Sequence, residues 1–309
     1  MNARPGHIGL VAAGRPVAAA LGIVADRLLG EPAINPHPIA ALGKALQAVE
    51  RGLYADNRRC GVAHAAIGVG IGWGAGRLLG STTVATYVAT AGRALADAAE
   101  AVNEALRSDD LERARLLLPA LVGRDPNSLD AAGICRAVVE SVAENTVDAV
   151  IAPAVWASLA GAPGVFAHRA VNTMDSMVGH RTTRYGRYGW AAARLDDAAA
   201  WVPARLTAAL VAACRPSSAA DVLRIVRRDA SAHPSPNAGV AEAAFAAALG
   251  ITLGGPTSYE SGTESRPYLG DGRPTEAQDI TRAVELSGDV ALAAAAALAL
   301  VGTVRMARA

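Results

Sequence analysis

Ala149-Val150-Ile151-Ala152-Pro153-Ala154-Val155-Trp156-Ala157-Ser158-Leu159-Ala160-Gly161-Ala162-Pro163-Gly164-Val165-Phe166-Ala167 is a run of nineteen residues without a formal charge. As one continuous helix at ~1.5 Å per residue it would be roughly 28 Å long, near the ~30 Å of a bilayer's hydrocarbon core. Pro153, Gly161, Pro163 and Gly164 interrupt it. Such breaks are tolerated at membrane depth only where protein or a wet cavity receives the freed backbone groups. The run therefore reads as a broken or re-entrant helix rather than one clean span.

Further apolar runs support the same reading: Val290 to Val304, and the pair Val62–Gly76 and Leu78–Ala91, broken only by Arg77. Pro16–Ala25, Leu206–Cys214 and Phe245–Gly255 are weaker. Of the 309 residues 52% are hydrophobic and only 18% charged, and mean hydropathy is +0.25. Ordinary soluble domains carry about 25% charged residues. Alanine supplies most of the excess. It favours helices strongly and lipid weakly, so a soluble Ala-rich bundle is the alternative. Helical periodicity dominates and strand alternation is scarce. The expected fold is all-α: a multi-pass helical membrane protein with broken or re-entrant helices and polar loops, one membrane-embedded domain over residues 1–309.

Composition also excludes several classes. There is no Gly-X-Y period, and three cysteines, Cys60, Cys135 and Cys214, make no disulfide framework and read as free thiols in a reducing compartment. The balance of 29 basic to 28 acidic residues argues against a nucleic-acid partner, which needs a positive excess. Met1 to Ala20 does not read as a signal peptide, since Arg15-Pro16 splits its apolar stretch.

Three polar blocks separate the apolar runs. Asp26 to Arg59 holds the breakers Gly30-Glu31-Pro32 and Asn35-Pro36-His37-Pro38, and Arg93 to Asp148 is mostly amphipathic helix. Gly254 to Thr275, rich in Gly, Pro, Ser and Thr, reads as irregular. In the second block Asp125 is expected as N-cap with Pro126 at the first helical position, the helix running about six turns to Asp148. Arg136, Glu140, Glu144 and Asp148 then form a stripe at successive i+4 positions, with Ser141 and Asn145 beside it.

Like charges at i+4 repel, so this stripe is unfavourable unless a cation reverses the sign. Mg²⁺, which takes oxygen ligands and is commonly held by one or two carboxylates plus substrate phosphates, would do so. The plain alternative is a solvated acidic face relieved by Arg136. Beyond the apolar run, Asn172, Asp175 and Ser176 share a helical face at i, i+3 and i+4, and Asp196-Asp197 follows. Arg181, Arg184, Arg187, Arg194 and Arg205 lie around these acids. Arginine forks suit phosphate or carboxylate, though interfacial snorkelling also explains such residues. Ser235-Pro236-Asn237-Ala238-Gly239 opens another helix, with Glu242 in its first turns. His37, between two prolines, reads as structural. No Walker A motif, Rossmann glycine fingerprint or nucleophile elbow is present.

Taken in order, these segments resemble the cobinamide-phosphate synthase family of cobalamin biosynthesis, the CobD/CbiB family. The stretches are Asp26-Arg27-Leu28-Leu29-Gly30-Glu31-Pro32 with His37-Pro38, and Gly123-Arg124-Asp125. Glu140-Ser141-Val142-Ala143-Glu144-Asn145 through Asp148, Ala152-Pro153 with Trp156, and Asn172-Thr173-Met174-Asp175-Ser176-Met177 follow. Asp196-Asp197, Pro203-Ala204-Arg205 and Ser235-Pro236-Asn237-Ala238-Gly239 complete the set. Ala200 departs from it where an Asn precedes the Trp, and Glu31 where an Asp is usual.

The resemblance implies an enzyme of the late corrin pathway in the cell (cytoplasmic) membrane, with its active site facing the cytoplasm. It would join the f-propionate carboxylate of adenosylcobyric acid to (R)-1-aminopropan-2-ol or its O-phosphate, consuming ATP with Mg²⁺. The enzyme supplying the amine is a further expected partner. Glu140, Glu144 and Asp148 would hold Mg²⁺–nucleotide, with Glu140, Glu144 and Asp175 catalytic. Arg124 and Arg205 would contact phosphate or the corrin propionate, and Asn145, Asn172, Ser176, Asp196, Asp197 and Asn237 would line the substrate. If ATP is cytoplasmic, the acids before Ala149 and the cluster after Ala167 face one compartment, which a broken helix between them allows.

Two other classes predict different patterns. A lipid phosphotransferase would repeat a paired Asp motif at helical spacing, and the two pairs present, Asp109-Asp110 and Asp196-Asp197, lie far apart in sequence and form no such repeat. A transporter or carrier for a corrinoid or a cation would show an inverted repeat of broken helices, and none is found.

Overall fold

Helices make up most of the computed structural model, which describes residues 5–123, 126–180, 182–259 and 262–308, with side chains undescribed at 5–12 and 256–265. The chain is 79% helical. Among the described residues, three helical stretches, Arg58–Leu79, Ala131–Val178 and Gln278–Arg308, are long and apolar enough to cross a membrane. Trp190–Ala199 with Trp201–Cys214 makes a fourth if that broken pair is one span. They contain the runs Val62–Gly76, Ala149–Ala167, Val290–Val304 and Leu206–Cys214, whereas most of Leu78–Ala91 lies outside them; the chain is a helical membrane protein.

Packing divides the chain into two compact units, each built from separated stretches of sequence. The first takes residues 1–91, 148–200 and 294–309. It holds α1 (Pro5–Leu29), α2 (Pro38–Leu53), α3 (Arg58–Leu79), α4 (Thr82–Ala89), α8 (Ala152–Val178), α9 (Trp190–Ala199) and the end of α13 (Gln278–Arg308). Punctuation is local: Asn57 accepts from the Cys60 N–H to cap α3, Gly80 in the left-handed region ends it, and Ser81 caps α4. Leu42, Leu46, Val88, Phe166, Met174, Val178 and Tyr188 are buried together at the core.

α3 packs against α8 along a stripe of glycines. A Cβ on Gly72 would stand 2.4 Å from the Phe166 carbonyl oxygen, and one on Gly76 2.3 Å from that of Ala162. Small residues at four-residue spacing let two backbones meet, the device of helix pairs in lipid. Most large apolar residues of α3, Val62, Ile67, Trp73, Leu78 and Leu79, are exposed, while Val69 and Ile71 pack partly against the core. Glycine inward and bulk outward is the pattern of a helix whose outer face meets lipid.

The nineteen-residue run is indeed broken. Residues 147–151 form a π-helical turn, α8 follows, and Gly161 within α8 takes φ 66° and ψ −155°. That region is essentially reserved for glycine. Arg15 donates to the carbonyl of Leu159 at 2.9 Å, supplying a partner to backbone that the break releases.

The second unit takes residues 92–147 and 201–293. It holds α5 (Gly92–Arg107), α6 (Leu111–Leu117), α7 (Ala131–Thr146), α10 (Trp201–Cys214), α11 (Ala219–Asp229), α12 (Ala238–Leu249) and the start of α13. Val138, Val142, Ile225, Phe245, Leu253, Leu269 and Leu286 are among its buried residues.

Two sequence expectations are corrected here. Pro126–Ser128 is a 3-10 turn, and α7 begins at Ala131 because Asp130 caps it, accepting from the Gly133 N–H at 2.8 Å. It stops at Thr146 rather than Asp148, where the π-helical turn takes over. The expected cap Asp125 lies outside the described residues. Second, the Gly/Pro/Ser/Thr-rich block is not irregular throughout: β1 (Leu253–Tyr259) and β2 (Gly262–Leu269) pair antiparallel, Leu253 opposite Leu269. Composition disfavours strands there, but pairing satisfies the backbone, Leu253 and Leu269 are fully buried, and Glu140 accepts the Gly254 N–H at 2.7 Å. Tertiary anchoring outweighs local propensity.

Candidate active site

Asp148 and Asn172 flank the broken helix in sequence, and the first unit brings them together. Asn172 Nδ2 donates to Asp148 Oδ2 at 3.0 Å and reaches Asp196 Oδ1 at 3.5 Å. Each element contributes for a local reason. Asp148 is presented by the π-helical turn, Asn172 by the second half of α8, and Asp196 by α9. Arg169, one turn before Asn172, donates to its Oδ1 at 3.4 Å and acts electrostatically on Asp148 and Asp196. The Asn172 amide is thus used at both ends, its oxygen toward a cation and its nitrogen toward two carboxylates.

Asp175 and Asp197 extend the cluster, since both act electrostatically on Asp196. Asp197 lies 3.7 Å from Arg194, and Asp175 is half-buried beside His180. Ser176 is exposed and donates to the Asn172 carbonyl at 3.0 Å, while His180 approaches the Ser176 carbonyl at 2.9 Å. Among the described residues, four aspartates and one asparagine therefore share a locality with the half-buried Arg169 and, at its edge, the exposed Arg194.

The connection between α8 and α9 is tied down by aromatic and ionic contacts. Tyr185 donates to the buried Glu50 at 2.8 Å, Arg184 approaches Glu50 at 3.6 Å, and Tyr54 donates to the Arg184 carbonyl at 2.9 Å. The ring of Tyr188 stacks on His64 at 5.4 Å. Burial, with Glu50 nearby, pushes the Tyr188 hydroxyl up to about 12, so it stays neutral. These contacts fix where α9 begins and so where Asp196 falls. Trp156 adds a second tie, donating from its indole to the Ala199 carbonyl at 3.2 Å. Ala200 is buried in the one-residue break after α9, its N–H on the Asp196 carbonyl at 2.9 Å.

The remaining expected residues lie in the second unit. Glu140 is buried and serves the β-hairpin, Glu144 is exposed, and Asn145 donates to the carbonyl and hydroxyl oxygens of Ser141. Arg205 donates to Asn237 Oδ1 at 2.8 Å, with its guanidinium 4.5 Å over the Trp201 ring. The buried His233, before α12, stands 3.8 Å from the buried Glu242 within it, and the first residue of α12 follows Asn237 as the sequence indicates. Arg124 and Arg181 lie outside the described residues.

Among the described residues, no three His, Cys, Asp or Glu side chains converge closely enough to hold a metal ion by themselves. The i+4 spacing that aligned Glu140, Glu144 and Asp148 holds only through Thr146, because a π-helical turn changes the register. Oxygen donors are nonetheless concentrated at Asp148, Asn172 and Asp196, and Mg²⁺ needs only one or two carboxylates when a substrate phosphate completes its shell. Sequence reasoning missed Arg169, although its i−3 spacing from Asn172 was the available signal. It also missed Glu50, Tyr54 and Tyr188, which no motif marks.

The sequence profile of the family described as CobD/Cbib protein matches residues 19–287. Among curated relatives, "Cobalamin biosynthesis protein CobD" of Mycobacterium tuberculosis is 47% identical over 299 residues, covering 93% of this chain and 95% of that protein. The protein of the same name from Brucella suis is 38% identical, covering 86% and 90%, and that from Photorhabdus laumondii 40%, covering 80% and 85%. No solved structure matches. On the span of that match and these identities, the chain belongs to the CobD/CbiB family.

Proposed function

We propose that this protein is the cobalamin-pathway ligase that joins adenosylcobyric acid, through its f-propionate carboxylate, to (R)-1-aminopropan-2-ol or its O-phosphate. The product is adenosylcobinamide or its phosphate. Family membership and the names of the relatives support the role in cobalamin biosynthesis. The observation that carries the ligase reading is the convergence of Asp148, Asn172 and Asp196, with Asp175 and Asp197 beside them, at the two ends of a broken apolar helix.

An amide does not form from a carboxylate and an amine without activation. In the proposed reaction the propionate oxygen takes the γ-phosphoryl group of ATP and ADP leaves. The amine nitrogen then attacks the acyl carbon, phosphate departs, and the nitrogen loses one proton. Mg²⁺ would neutralise the phosphate charge during this chemistry, with Asp148 and Asp196 as its holders. Glu144 is retained from the sequence as a further carboxylate on the nucleotide side, to be tested separately. Asn172 keeps the two aspartates oriented, and Arg169 balances their charge. Asp175 is the proposed acceptor of the amine proton, and Arg205, cradled by Asn237 and Trp201, the proposed contact for a propionate or phosphate.

Membranes containing the protein, supplied with adenosylcobyric acid, ATP, Mg²⁺ and either amine, test this directly. A product heavier by one amine unit, dependent on ATP, is expected, and the amine that reacts is thereby identified. Binding of adenosylcobyric acid with no ATP-dependent product from folded protein would overturn the ligase and favour a carrier. The acids are proposed to face the cytoplasm, where ATP is; a reporter tag at Arg187 located outside the cell would overturn that placement.

A further inference from the structure

At the first turn of α3 a cleft of about 760 Å³ is lined by Asn57, Arg58, Arg59, Cys60 and Arg187. Three of these five residues are arginines and none is acidic. All three arginines are exposed, and among the described residues none forms an ion pair. Arg58 is held by stacking, its guanidinium 5.0 Å over the ring of Trp190. Several other arginines are matched: Arg93 with Asp97, Arg115 with Glu112, Arg215 with Asp289, Arg224 and Arg228 with Asp271, and Arg273 and Arg282 with Asp279. Three unmatched guanidiniums around one cleft repel one another unless an anion enters.

We propose that this cleft binds a phosphate group. Guanidinium forks match phosphate oxygens in geometry as well as charge. The backbone dipole of a 22-residue helix beginning at Arg58 adds potential of the same sign. The proposal is independent of the ligase reading and concerns residues to which that reading gives no role. The phosphate has two sources, a free phosphate or phosphate ester from solution and the headgroup of an anionic phospholipid. The apolar exposed residues Val62 and Trp190 beside the arginines make the headgroup geometrically accessible.

The test uses the full chain purified in neutral detergent with phosphatidylcholine. Its thermal midpoint is followed on adding phosphatidylglycerol, inorganic phosphate, or more phosphatidylcholine, at matched ionic strength. A rise of several degrees with phosphatidylglycerol alone assigns the headgroup, and a rise with inorganic phosphate assigns the free ion. The doubly substituted R59Q/R187Q protein is expected to lose most of that rise. R93Q, at a paired arginine elsewhere, is expected to keep it. In the unsubstituted protein, the effective ligand should also protect Arg59 and Arg187 from phenylglyoxal, read by peptide mass. This readout remains if the double variant fails to fold. No rise with either ligand, a full rise in R59Q/R187Q, or no protection of the two arginines would overturn the proposal.

Discussion

Asn172 donates to Asp148 at 3.0 Å although 24 residues separate them. A straight helix of that length would hold them about 36 Å apart. The break at Gly161 turns the segment back, so two polar groups that frame an apolar run end on the same side of it. An apolar hairpin with its chemistry gathered at the mouth is what this achieves.

The amide at Asn172 orients two of the cluster's four carboxylates, Asp148 and Asp196. Asn172→Leu, similar in size and without hydrogen-bonding capacity, should lower ATP-dependent product formation by about 10- to 100-fold, as expected for losing a bond to a charged group worth about 1.5–3 kcal/mol. The thermal midpoint should move little. Product mass and a melting curve on the same preparation separate the two, and unchanged turnover would remove Asn172 from the site.

Gly161 adopts a backbone conformation closed to side chains, and a Cβ there would stand 3.2 Å from Thr82 Oγ1. Gly161→Ala should destabilise the protein by about 1–3 kcal/mol. Its effect on turnover should exceed that of a surface change of equal stability cost, because the hairpin positions Asp148 against Asn172. Thermal unfolding in detergent, paired with activity below the transition, checks both parts.

The α3–α8 contact leaves no room for β-carbons at Gly72 and Gly76. Gly72→Val should abolish accumulation of folded protein, whereas Gly74→Val, where a Cβ meets nothing within 4 Å, should be tolerated. Fluorescence-detected size exclusion of the two variants gives the comparison.

Glu140 is buried and accepts a backbone N–H of the hairpin. Glu140→Ala would leave that donor unsatisfied at a cost of about 1–3 kcal/mol, and Glu140→Gln keeps an acceptor. If Glu140 is structural, Gln restores both stability and turnover. If it also serves the nucleotide, as its sequence position suggests, Gln restores stability alone. Melting curves and product assays on the pair decide between them.

Asp271 receives Arg224 and Arg228, whose guanidiniums hold its carboxyl down at about 2. Its unfolded value is about 3.9. A depressed carboxyl contributes stability that is present above the unfolded value and lost as pH falls through the folded one. The gap in midpoint between the unsubstituted protein and Asp271→Asn should therefore be constant above about pH 5 and close between about pH 4 and pH 2. Both groups are solvent-exposed, so the gap should also shrink with added salt.

The chain's own residues determine a good deal. Long uncharged runs rich in alanine dictate apolar helices suited to lipid, because that property belongs to each segment alone. Asn172, Asp175, Asp196 and Asp197 are visible as polar groups in costly places, whereas the helix start expected at Asp125 falls instead at Asp130. The sequence also suggests the break, since Pro163 and Gly161 cannot continue a regular helix unaided. It does not give the angle of return or the partner met on return. Only the tertiary structure makes Asn172 the neighbour of Asp148, inserts a π-helical turn after Thr146 so that the i+4 stripe stops there, and draws a glycine- and proline-rich stretch into a hairpin on Glu140. Each of these depends on contacts between residues far apart in sequence, whose energies are absent from any local window and outweigh the local preference where they fall.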